Sequence, residues 1–308
     1  MNKYINAGKK FLSDADYRFL LAAGFGFFNS WDDEKYLKRK YQAVMGKKLN
    51  LDNPVTFNEK LQWLKLHDRR PEYTMMVDKY KVRDYIAEKL GEEYLIPLLG
   101  VWDDPDDIDF DALPNQFVLK CNHNSGLGMC ICKDKSKLDI KKVRDELRKG
   151  LKQDYYLTGR EWPYKDVPRK IICEKYMEDS TTGALNDYKV FIFNGKASCI
   201  QVDYDRFTDH HRNFYNTDWK YIPFTTCYPT NPSHVVERPD ALEEMLGLAK
   251  KIAGNLGNPP FVRTDFYIVD GNVYFGEITF YHGSGYETFI PEEYDTTLGG
   301  WIALPKNV

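Results

Sequence analysis

The hydrophobic pattern of this 308-residue chain changes its period near residue 115, and that change most constrains the fold. Upstream, apolar residues recur with helical spacing, and Thr56 and Glu59 form a capping box that predicts a helix over Phe57–His67. Downstream the spacing is that of strands, and Asn194-Gly195 and Asp270-Gly271 are dipeptides favoured in tight hairpin turns. Helices followed by hairpins that alternate with helices favour an α+β architecture with antiparallel sheets over a doubly wound parallel sheet.

Charge and cysteine content exclude several classes of protein. Asp and Glu outnumber Lys and Arg by 46 to 43, so there is no overall positive field to hold a nucleic acid. The cysteines include no C-x-x-C pair, which disfavours a structural zinc site, and without a recognisable signal peptide we expect reduced thiols and a cytoplasmic protein. The most apolar segment, residues 19–28, is shorter than the ~20 residues that span a bilayer. It packs on the protein or rests on a membrane surface.

The last predicted hairpin carries the residues best suited to chemistry. Strand alternation puts Arg263 and Asp265 on one face of the first strand, and Glu277 and Thr279 on one face of the second. Two carboxylates and a hydroxyl on adjacent strands are oxygen ligands of the kind that Mg²⁺ takes, and the arginine could neutralise an anionic transition state. The same residues also suit an ordinary ion pair between Arg263 and the carboxylates.

The register of this hairpin decides whether the two carboxylates meet. A two-residue turn at Asp270-Gly271 pairs Asp265 with Gly276, and Glu277 then points to the opposite side of the sheet. A three-residue loop, or an equivalent bulge, places Asp265 directly opposite Glu277. Because glycine suits the turn-plus-bulge geometry, we predict the three-residue loop or its equivalent.

Two further positions carry polar groups in strand-like surroundings. The loop of residues 122–128, which follows Lys120, is small and contains glycines, so its backbone N–H groups could approach phosphate oxygens. A plain hairpin connection is the simpler explanation of that loop. Glu174 interrupts an apolar strand. This pattern is typical of a strand at the edge of a sheet, and also of a carboxylate that forms a hydrogen bond with an adenine base.

Taken in chain order, these pieces resemble the ATP-grasp superfamily over roughly residues 75–290. Lys79 and Lys120 look like its two phosphate-contacting lysines, the second just before the flexible glycine-rich loop, and Glu174 looks like the glutamate of its adenine hinge. The resemblance implies that the nucleotide-binding residues are Lys79, Lys120, Ser125, Gly126, Gly128, Glu174, Tyr176, Met177, Asp187 and Lys189.

The resemblance extends to the last hairpin. Arg263-x-Asp265 and Glu277-x-Thr279 are similar to the Arg-x-Asp and Glu-x-Asn pattern of amino-acid ligases, which implies that Arg263 is catalytic and that Asp265, Glu277 and Thr279 bind Mg²⁺. Threonine departs from the asparagine of many relatives, and a hydroxyl is a poorer ligand than an amide carbonyl.

Four residues are predicted to contact the substrates. Arg206 and Arg212 could clamp an acidic sugar or an amino-acid carboxylate, or belong to an exposed loop. His282, beside Gly283, could orient the acceptor or serve as a base, or be a structural histidine. Gly283 suits the small turn that the resembled enzymes place after the last ligand.

Within the superfamily the chain looks most like the branch named for teichuronopeptide biosynthesis, with further likeness in residues 57–65 and 78–83. The resemblance implies an ATP-grasp fold of two α+β subdomains with a helical N-terminal region. Expected boundaries are residues 1–75, 76–115, 116–180 and 181–308.

The function that this resemblance implies is an ATP- and Mg²⁺-dependent carboxylate–amine ligase. It would act through an acylphosphate and join an amino acid or amine to an acidic sugar or polysaccharide precursor. We expect no transmembrane segment. If the glycan precursors are membrane-bound, the resemblance also implies a peripheral contact with the membrane. A kinase on the same fold and a binding module without turnover are the alternatives.

Overall fold

The structure is a computed structural model that describes residues 11–180, 183, 185–205, 209–234 and 236–305. Its α-helices in these ranges are α1 (Ala15–Gly24), α2 (Asp33–Met45), α3 (Phe57–His67), α4 (Glu72–Val77), α5 (Val82–Lys89), α6 (Ile140–Lys152), α7 (Tyr155–Gly159), α8 (Leu242–Asn255) and α9 (Glu293–Trp301). Its β-strands are β1 (Leu98–Trp102), β2 (Phe117–Cys121), β3 (Met129–Cys132), β4 (Ile171–Lys175), β5 (Asp187–Phe193), β6 (Lys196–Tyr204), β7 (His211–Asn216), β8 (Tyr221–Ile222), β9 (Thr225–Thr226), β10 (Phe261–Val269), β11 (Asn272–Thr279) and β12 (Phe289–Ile290). Short 3-10 turns lie at Glu92–Tyr94, Pro105–Asp107, Lys135–Lys137, Trp162–Tyr164 and His282–Gly285.

The strands form two principal sheets. The smaller has four strands in the order β1-β4-β2-β3, and the larger has six in the order β11-β10-β5-β6-β7-β8; β12 and β9 form a separate pair. Neighbouring strands within these sheets run antiparallel. The predicted α+β class with antiparallel sheets is therefore confirmed.

Each sheet has its own hydrophobic core. Under the four-stranded sheet, Val143 and Leu147 of α6 pack against Phe117 and Leu119 of β2. The larger core joins the six-stranded sheet to α8 and to α3, and it includes Phe57. The ring of Phe57 meets that of Phe261 edge-on, with centroids 5.0 Å apart, so α3 is fixed against β10.

Local sequence signals explain the boundaries of α3 and of the β5–β6 hairpin. The Oγ1 atom of Thr56 accepts a hydrogen bond from the Glu59 backbone N–H at 3.2 Å, and Oε2 of Glu59 accepts one from the Thr56 N–H at 3.1 Å. This is the predicted capping box. Asn194 and Gly195 both have positive φ, 49° and 82°, as the turn between β5 and β6 requires.

The β10–β11 hairpin reaches the predicted register by the bulge rather than by the longer loop. Val269 pairs with Asn272 around a two-residue turn, so the three-residue loop does not form, and the predicted equivalent, a bulge, takes its place. A register shift then falls between Asp265 and Phe266, and beyond it Asp265 pairs with Glu277. The bulge therefore performs the realignment that the longer loop would have given.

Candidate active site

Arg263 on β10 is the centre of the site. Its Nε and Nη2 atoms donate to the two carboxylate oxygens of Asp265, both at 2.7 Å. Nη2 also lies 3.0 Å from Oε1 of Glu277 and 3.2 Å from Oγ1 of Thr279, which β11 places opposite. Burial alone would lower the pKa of Arg263, but Asp265 and Glu277 more than offset that effect and raise it. The guanidinium therefore keeps its charge among the three residues predicted to bind Mg²⁺.

His282 links Arg263 to a second acidic group. Nη1 of Arg263 lies 2.8 Å from Nδ1 of His282, and Nε2 of His282 lies 2.9 Å from Oε2 of Glu287. Because a guanidinium only donates, Nδ1 accepts, and Nε2 carries the proton that is donated to Glu287. Burial lowers the pKa of His282, in keeping with this neutral tautomer. Both ring nitrogens are engaged by protein groups, so the structure supports the structural alternative for His282 over the predicted substrate contact.

Gly283 allows this arrangement to close. Its φ is +54°, and a Cβ at this position would lie 2.2 Å from Cγ of Glu287. A larger residue would push the Glu287 side chain away from His282. Glycine therefore suits this turn, as predicted, because it leaves room for the side chain of Glu287.

The two arginines predicted to clamp substrate are differently placed. Arg206 lies outside the described residues. Arg212 is 5% exposed, and its guanidinium donates to Oδ1 of Asp203 at 2.7 Å and to Oε2 of Glu287 at 3.3 Å. Arg212 is buried between these two carboxylates, which rules out the exposed-loop alternative, and its predicted contact with substrate stays a prediction.

Lys189 and Asp187 lie in the same buried network. The Lys189 ammonium donates to Asp187 and to Oδ2 of Asp265, the latter at 3.0 Å, and lies 3.8 Å from Oδ2 of Asp203. Asp203 in turn contacts Arg212. These contacts close a ring of polar groups that contains six charged residues and the neutral His282. It runs from Arg263 through His282, Glu287, Arg212, Asp203, Lys189 and Asp265 back to Arg263. Lys189 and Asp187 support this ring, and their predicted contact with nucleotide stays a prediction.

The two lysines predicted to contact phosphates lie on the opposite side of the site. Nζ of Lys79 lies 3.4 Å from Oε2 of Glu277 and donates to the backbone oxygen of Asn124 at 2.8 Å. Nζ of Lys120 lies 2.6 Å from Oε2 of Glu174. Lys79 therefore joins the glycine-containing loop of the four-stranded sheet to β11 of the six-stranded sheet.

The loop of residues 122–128 has a fixed base and an open tip. The side chain of Asn122 donates to Oδ1 of Asp78 at 2.7 Å and to the oxygen of Pro168 at 2.8 Å. Gly128 is packed so closely that a Cβ would lie 2.9 Å from Sγ of Cys121. Gly126, with φ +82°, faces open space, and Ser125 is also exposed. The exposed tip is the part that a ligand could reach.

Glu174 occupies a central strand, which corrects the edge-strand alternative. β4 lies between β1 and β2, and Glu174 pairs in register with Leu98 and Val118. Just beyond it, Tyr176 and Met177 line a cavity of about 190 Å³ that the β10–β11 turn closes on the other side. The segment predicted to hold the adenine therefore borders a cleft between the two sheets.

Sequence reasoning missed two cations that shape the site, one partly buried and one fully buried. Nη1 of Arg83 lies 3.2 Å from Oε1 of Glu174, so this carboxylate has two cationic partners. Lys65 is fully buried, and its ammonium donates to the backbone oxygens of Gly159 at 2.7 Å and Ser284 at 2.8 Å. A signal for Lys65 was present, because it lies four residues after the buried Leu61 on the same face of α3.

The segment that follows α6 also reaches the site without a signal in the sequence. The rings of Tyr155 and Tyr164 meet edge-on with centroids 4.8 Å apart. Burial and the nearby carboxylates Glu161 and Glu277 raise the pKa of Tyr155. These tyrosines form a wall beside Glu277 that was not predicted.

The predicted metal ligands fit a divalent cation unequally. The carboxylate of Glu277 is 31% exposed; burial would raise its pKa, but Lys79 and Arg263 lower it to about 2, so it is ionised and open to a ligand. Both oxygens of Asp265 accept from Arg263, and Oδ2 also accepts from Lys189. No group of three or more His, Cys, Asp or Glu side chains forms a metal cluster within the described ranges. Glu277 therefore fits a metal ion best, with Asp265 beside it.

The comparison with protein families identifies the class of this fold and site. The sequence profile described as "TupA-like ATPgrasp" matches residues 59–303, most of the chain. The protein belongs to this TupA-like ATP-grasp family, which confirms both the predicted family and the predicted fold class. No curated protein gave a match.

Solved structures of several ligases are similar to the chain. The D-alanine–D-alanine ligase from Helicobacter pylori is 15% identical, with 80% of this chain and 69% of that chain covered and a TM-score of 0.45. The D-alanine–D-alanine ligase from Bacillus anthracis complexed with ATP is 17% identical, covering 67% and 53%, with a TM-score of 0.39. The L-amino acid ligase from Bacillus licheniformis is 12% identical, covering 83% and 55%, with a TM-score of 0.42. The chain spans about half the length of the latter two, and likeness at this level carries no information about substrate.

No helix in the described part of the chain has both the length and the apolar character needed to cross a bilayer.

Proposed function

We propose that this protein is an ATP- and Mg²⁺-dependent carboxylate–amine ligase that acts through an acylphosphate. The observation that carries the proposal is the position of Lys79, whose ammonium contacts both Glu277 and the backbone of the glycine-containing loop. Lys79 thus brings a cation between an ionised carboxylate and the loop whose tip is exposed, which supports a nucleotide-binding role for all three. Family membership supports ATP as the ligand of these groups.

The two lysines and Glu277 would hold the triphosphate end of the nucleotide. Lys79 and Lys120 each lie against a single carboxylate oxygen, and phosphate oxygens can take over these contacts. Glu277, with Asp265 beside it, would hold Mg²⁺. When bound, the ion offsets charge on the phosphates of the transferred group. The base would enter the cleft beside Tyr176 and Met177.

In the reaction, a substrate carboxylate oxygen attacks the γ-phosphorus and ADP leaves with the bridging oxygen. The amine nitrogen then attacks the acyl carbon, the C–O bond to phosphate breaks, and the amine loses a proton. The contacts described for Arg263 employ four of its five N–H groups, which leaves one on Nη1 for an anionic group. Arg263 would use it to stabilise the oxyanion of the tetrahedral intermediate.

We further propose a uronic-acid or other acidic sugar carboxylate as one substrate and an amino acid or amine as the other, in surface-polysaccharide biosynthesis in the cytoplasm. The supporting features are the family resemblance and the wall of Tyr155 and Tyr164, since aromatic rings suit the flat faces of sugars. The proposed boundaries remain residues 1–75, 76–115, 116–180 and 181–308, and the proposed nucleotide contacts include Asp187 and Lys189.

The test incubates the protein with ATP, Mg²⁺ and a panel of uronic acids, each with and without every amino acid, and measures ADP release and product mass. A ligase releases ADP only when both substrates are present, and its product mass equals the sum of the two minus one water. Glu277→Gln should abolish the signal, whereas Glu243→Gln, on the exposed face of α8, should retain it.

Two other outcomes would overturn the proposal. ADP release without an amine, with a phosphorylated product, would establish the kinase alternative. No turnover across the panel, with ATP still bound, would establish a binding module.

A further inference from the structure

Three large apolar side chains stand exposed around the turn that follows α1. Leu21 is 37% exposed, Phe25 81% and Phe27 75%. The next residue, Phe28, points inwards instead, and its ring lies 4.9 Å from that of Phe19 and 4.5 Å from that of Trp31. These contacts of Phe28 anchor the turn on the protein, so Phe25 and Phe27 extend from a fixed backbone. Contiguous exposed apolar groups of this kind mark interaction surfaces.

A basic depression lies next to this turn. It has a volume of about 790 Å³ and is lined by Trp31, Lys35, Lys38, Arg39 and Lys48, among other residues. The ammonium of Lys35 lies 4.3 Å from the centroid of the Trp31 ring. Carboxylates also lie at the depression: Asp32 caps α2, Glu34 pairs with Lys38, and Arg39 donates to Oδ1 of Asp16 at 2.6 Å. This leaves Lys35 and Lys48 as its basic residues without a carboxylate partner in the described part of the chain.

The charge of the chain is distributed unevenly in a way that matches this geometry. Residues 1–48 contain ten Lys and Arg against five Asp and Glu, whereas the complete chain has more acidic than basic residues. The described part of this stretch, residues 11–48, contains seven Lys and Arg against five Asp and Glu, so the region that exposes the aromatic turn is net basic in a net acidic chain. Aromatic rings that insert at the headgroup level, flanked by basic residues, are typical of contact with an anionic lipid surface.

We propose that the turn bearing Phe25 and Phe27, together with Leu21 of α1, docks on the surface of a membrane that contains anionic lipids, with headgroups received by the depression beside Trp31. Residues of α1 cannot span a bilayer, so the contact is peripheral. Arg160 ties this turn to the active site, because its Nη2 donates to the oxygen of Phe28 at 2.9 Å. Arg160 adjoins Glu161 in the segment that contributes Tyr155 and Tyr164, so the docking turn is linked to that part of the site.

The test is co-sedimentation of the full chain with vesicles of phosphatidylcholine alone and of phosphatidylcholine with one third phosphatidylglycerol. We expect binding to the anionic vesicles, weakened by salt, and weaker binding to the neutral ones. Phe25→Ser/Phe27→Ser should bind on the order of 100-fold more weakly, because two rings no longer enter the bilayer. Ile290→Ser, which changes an apolar residue on β12 that is 64% exposed, should bind like the unaltered protein.

Three other outcomes would overturn the membrane-docking proposal. Equal binding by the double variant, or equal binding to neutral and anionic vesicles, would overturn the proposal. So would a concentration-dependent dimer that the double variant abolishes while vesicle binding is absent, because the turn would then contact a second copy. The double variant should keep its thermal melting temperature and its turnover of water-soluble substrates. Since vesicle binding needs no nucleotide, failure here and failure of the ligase assay can be told apart.

Discussion

The two sheets supply charged groups to the site in different ways. The six-stranded sheet holds Arg263, Asp265 and Lys189 in a closed ring of contacts, each residue less than a tenth exposed. The four-stranded sheet supplies Lys120 and Glu174. Among the described residues Lys120 forms an ion pair with Glu174 alone, whereas Glu174 also contacts Arg83, and the lysine side chain is 21% exposed. The first arrangement is fixed before any ligand arrives, whereas the second can exchange its partner for a ligand. Electrostatic catalysis needs the first property and nucleotide capture needs the second.

Removing Arg263 should have the largest effect on folding. Arg263→Met leaves the buried carboxylate of Asp265 with Lys189 alone, and breaking a buried pair costs about 3–5 kcal/mol. Urea unfolding should show this loss, and the ligase rate should fall by ~10²–10³. Arg238→Met, which breaks an exposed pair with Glu243, is the matched control and should change stability by less than about 1 kcal/mol. If both variants unfold alike, the ring is not a stabilising unit.

Acid should weaken the six-stranded side through Glu277. Its pKa is about 2 in the folded protein, below the value of about 4.3 expected for an unfolded chain. Its charge therefore stabilises the fold above pH ~4.5, and this contribution, up to about 3 kcal/mol, is lost as the pH falls towards 2. Glu277→Gln should flatten that part of the stability profile, measured by urea unfolding across the acidic range. An unchanged slope would mean that Lys79 and Arg263 do not hold the carboxylate ionised.

On the four-stranded side the base and the tip of the loop should respond differently. Gly128→Ala must place a Cβ 2.9 Å from both Sγ of Cys121 and Cα of Gly150, so we expect destabilisation of about 1–3 kcal/mol. Gly126→Ala shares the strain of a positive φ but meets open space. The difference between their melting temperatures isolates the packing cost. Equal melting temperatures would mean that the base of the loop is as free as its tip.

Periodicity predicted the elements well, because residues such as Val143 and Leu147 reveal the buried face of a helix directly. The site was predictable where neighbouring residues share a strand face, as Arg263 and Asp265 do. It was not predictable where distant elements meet. Arg83 and Tyr155 approach the site through tertiary packing, which leaves no local pattern in the sequence.

The hairpin register and Arg212 illustrate two other limits. Both a longer loop and a bulge bring Asp265 opposite Glu277, and the bulge depends on sheet geometry rather than on the turn residues. Arg212 follows a polar loop in the sequence, yet β7 directs it into a buried contact with Asp203. A charged residue beside a loop can therefore belong to the core when it forms an ion pair with a buried acidic side chain.

Lys120→Met should have the smallest effect on folding while strongly affecting nucleotide binding. Glu174 keeps Arg83 as a partner at 3.2 Å, so loss of Lys120 leaves no isolated buried charge, and we expect less than about 1 kcal/mol of destabilisation. A hydrogen bond between charged groups contributes about 1.5–3 kcal/mol, so ATP should bind roughly tenfold to a hundredfold more weakly. Lys120→Arg should restore part of that affinity. Urea unfolding and ATP titration of the same samples separate the two effects. A stability loss as large as that of Arg263→Met would make the two sheets equivalent, and Lys120 would then be a structural residue rather than one released to the nucleotide.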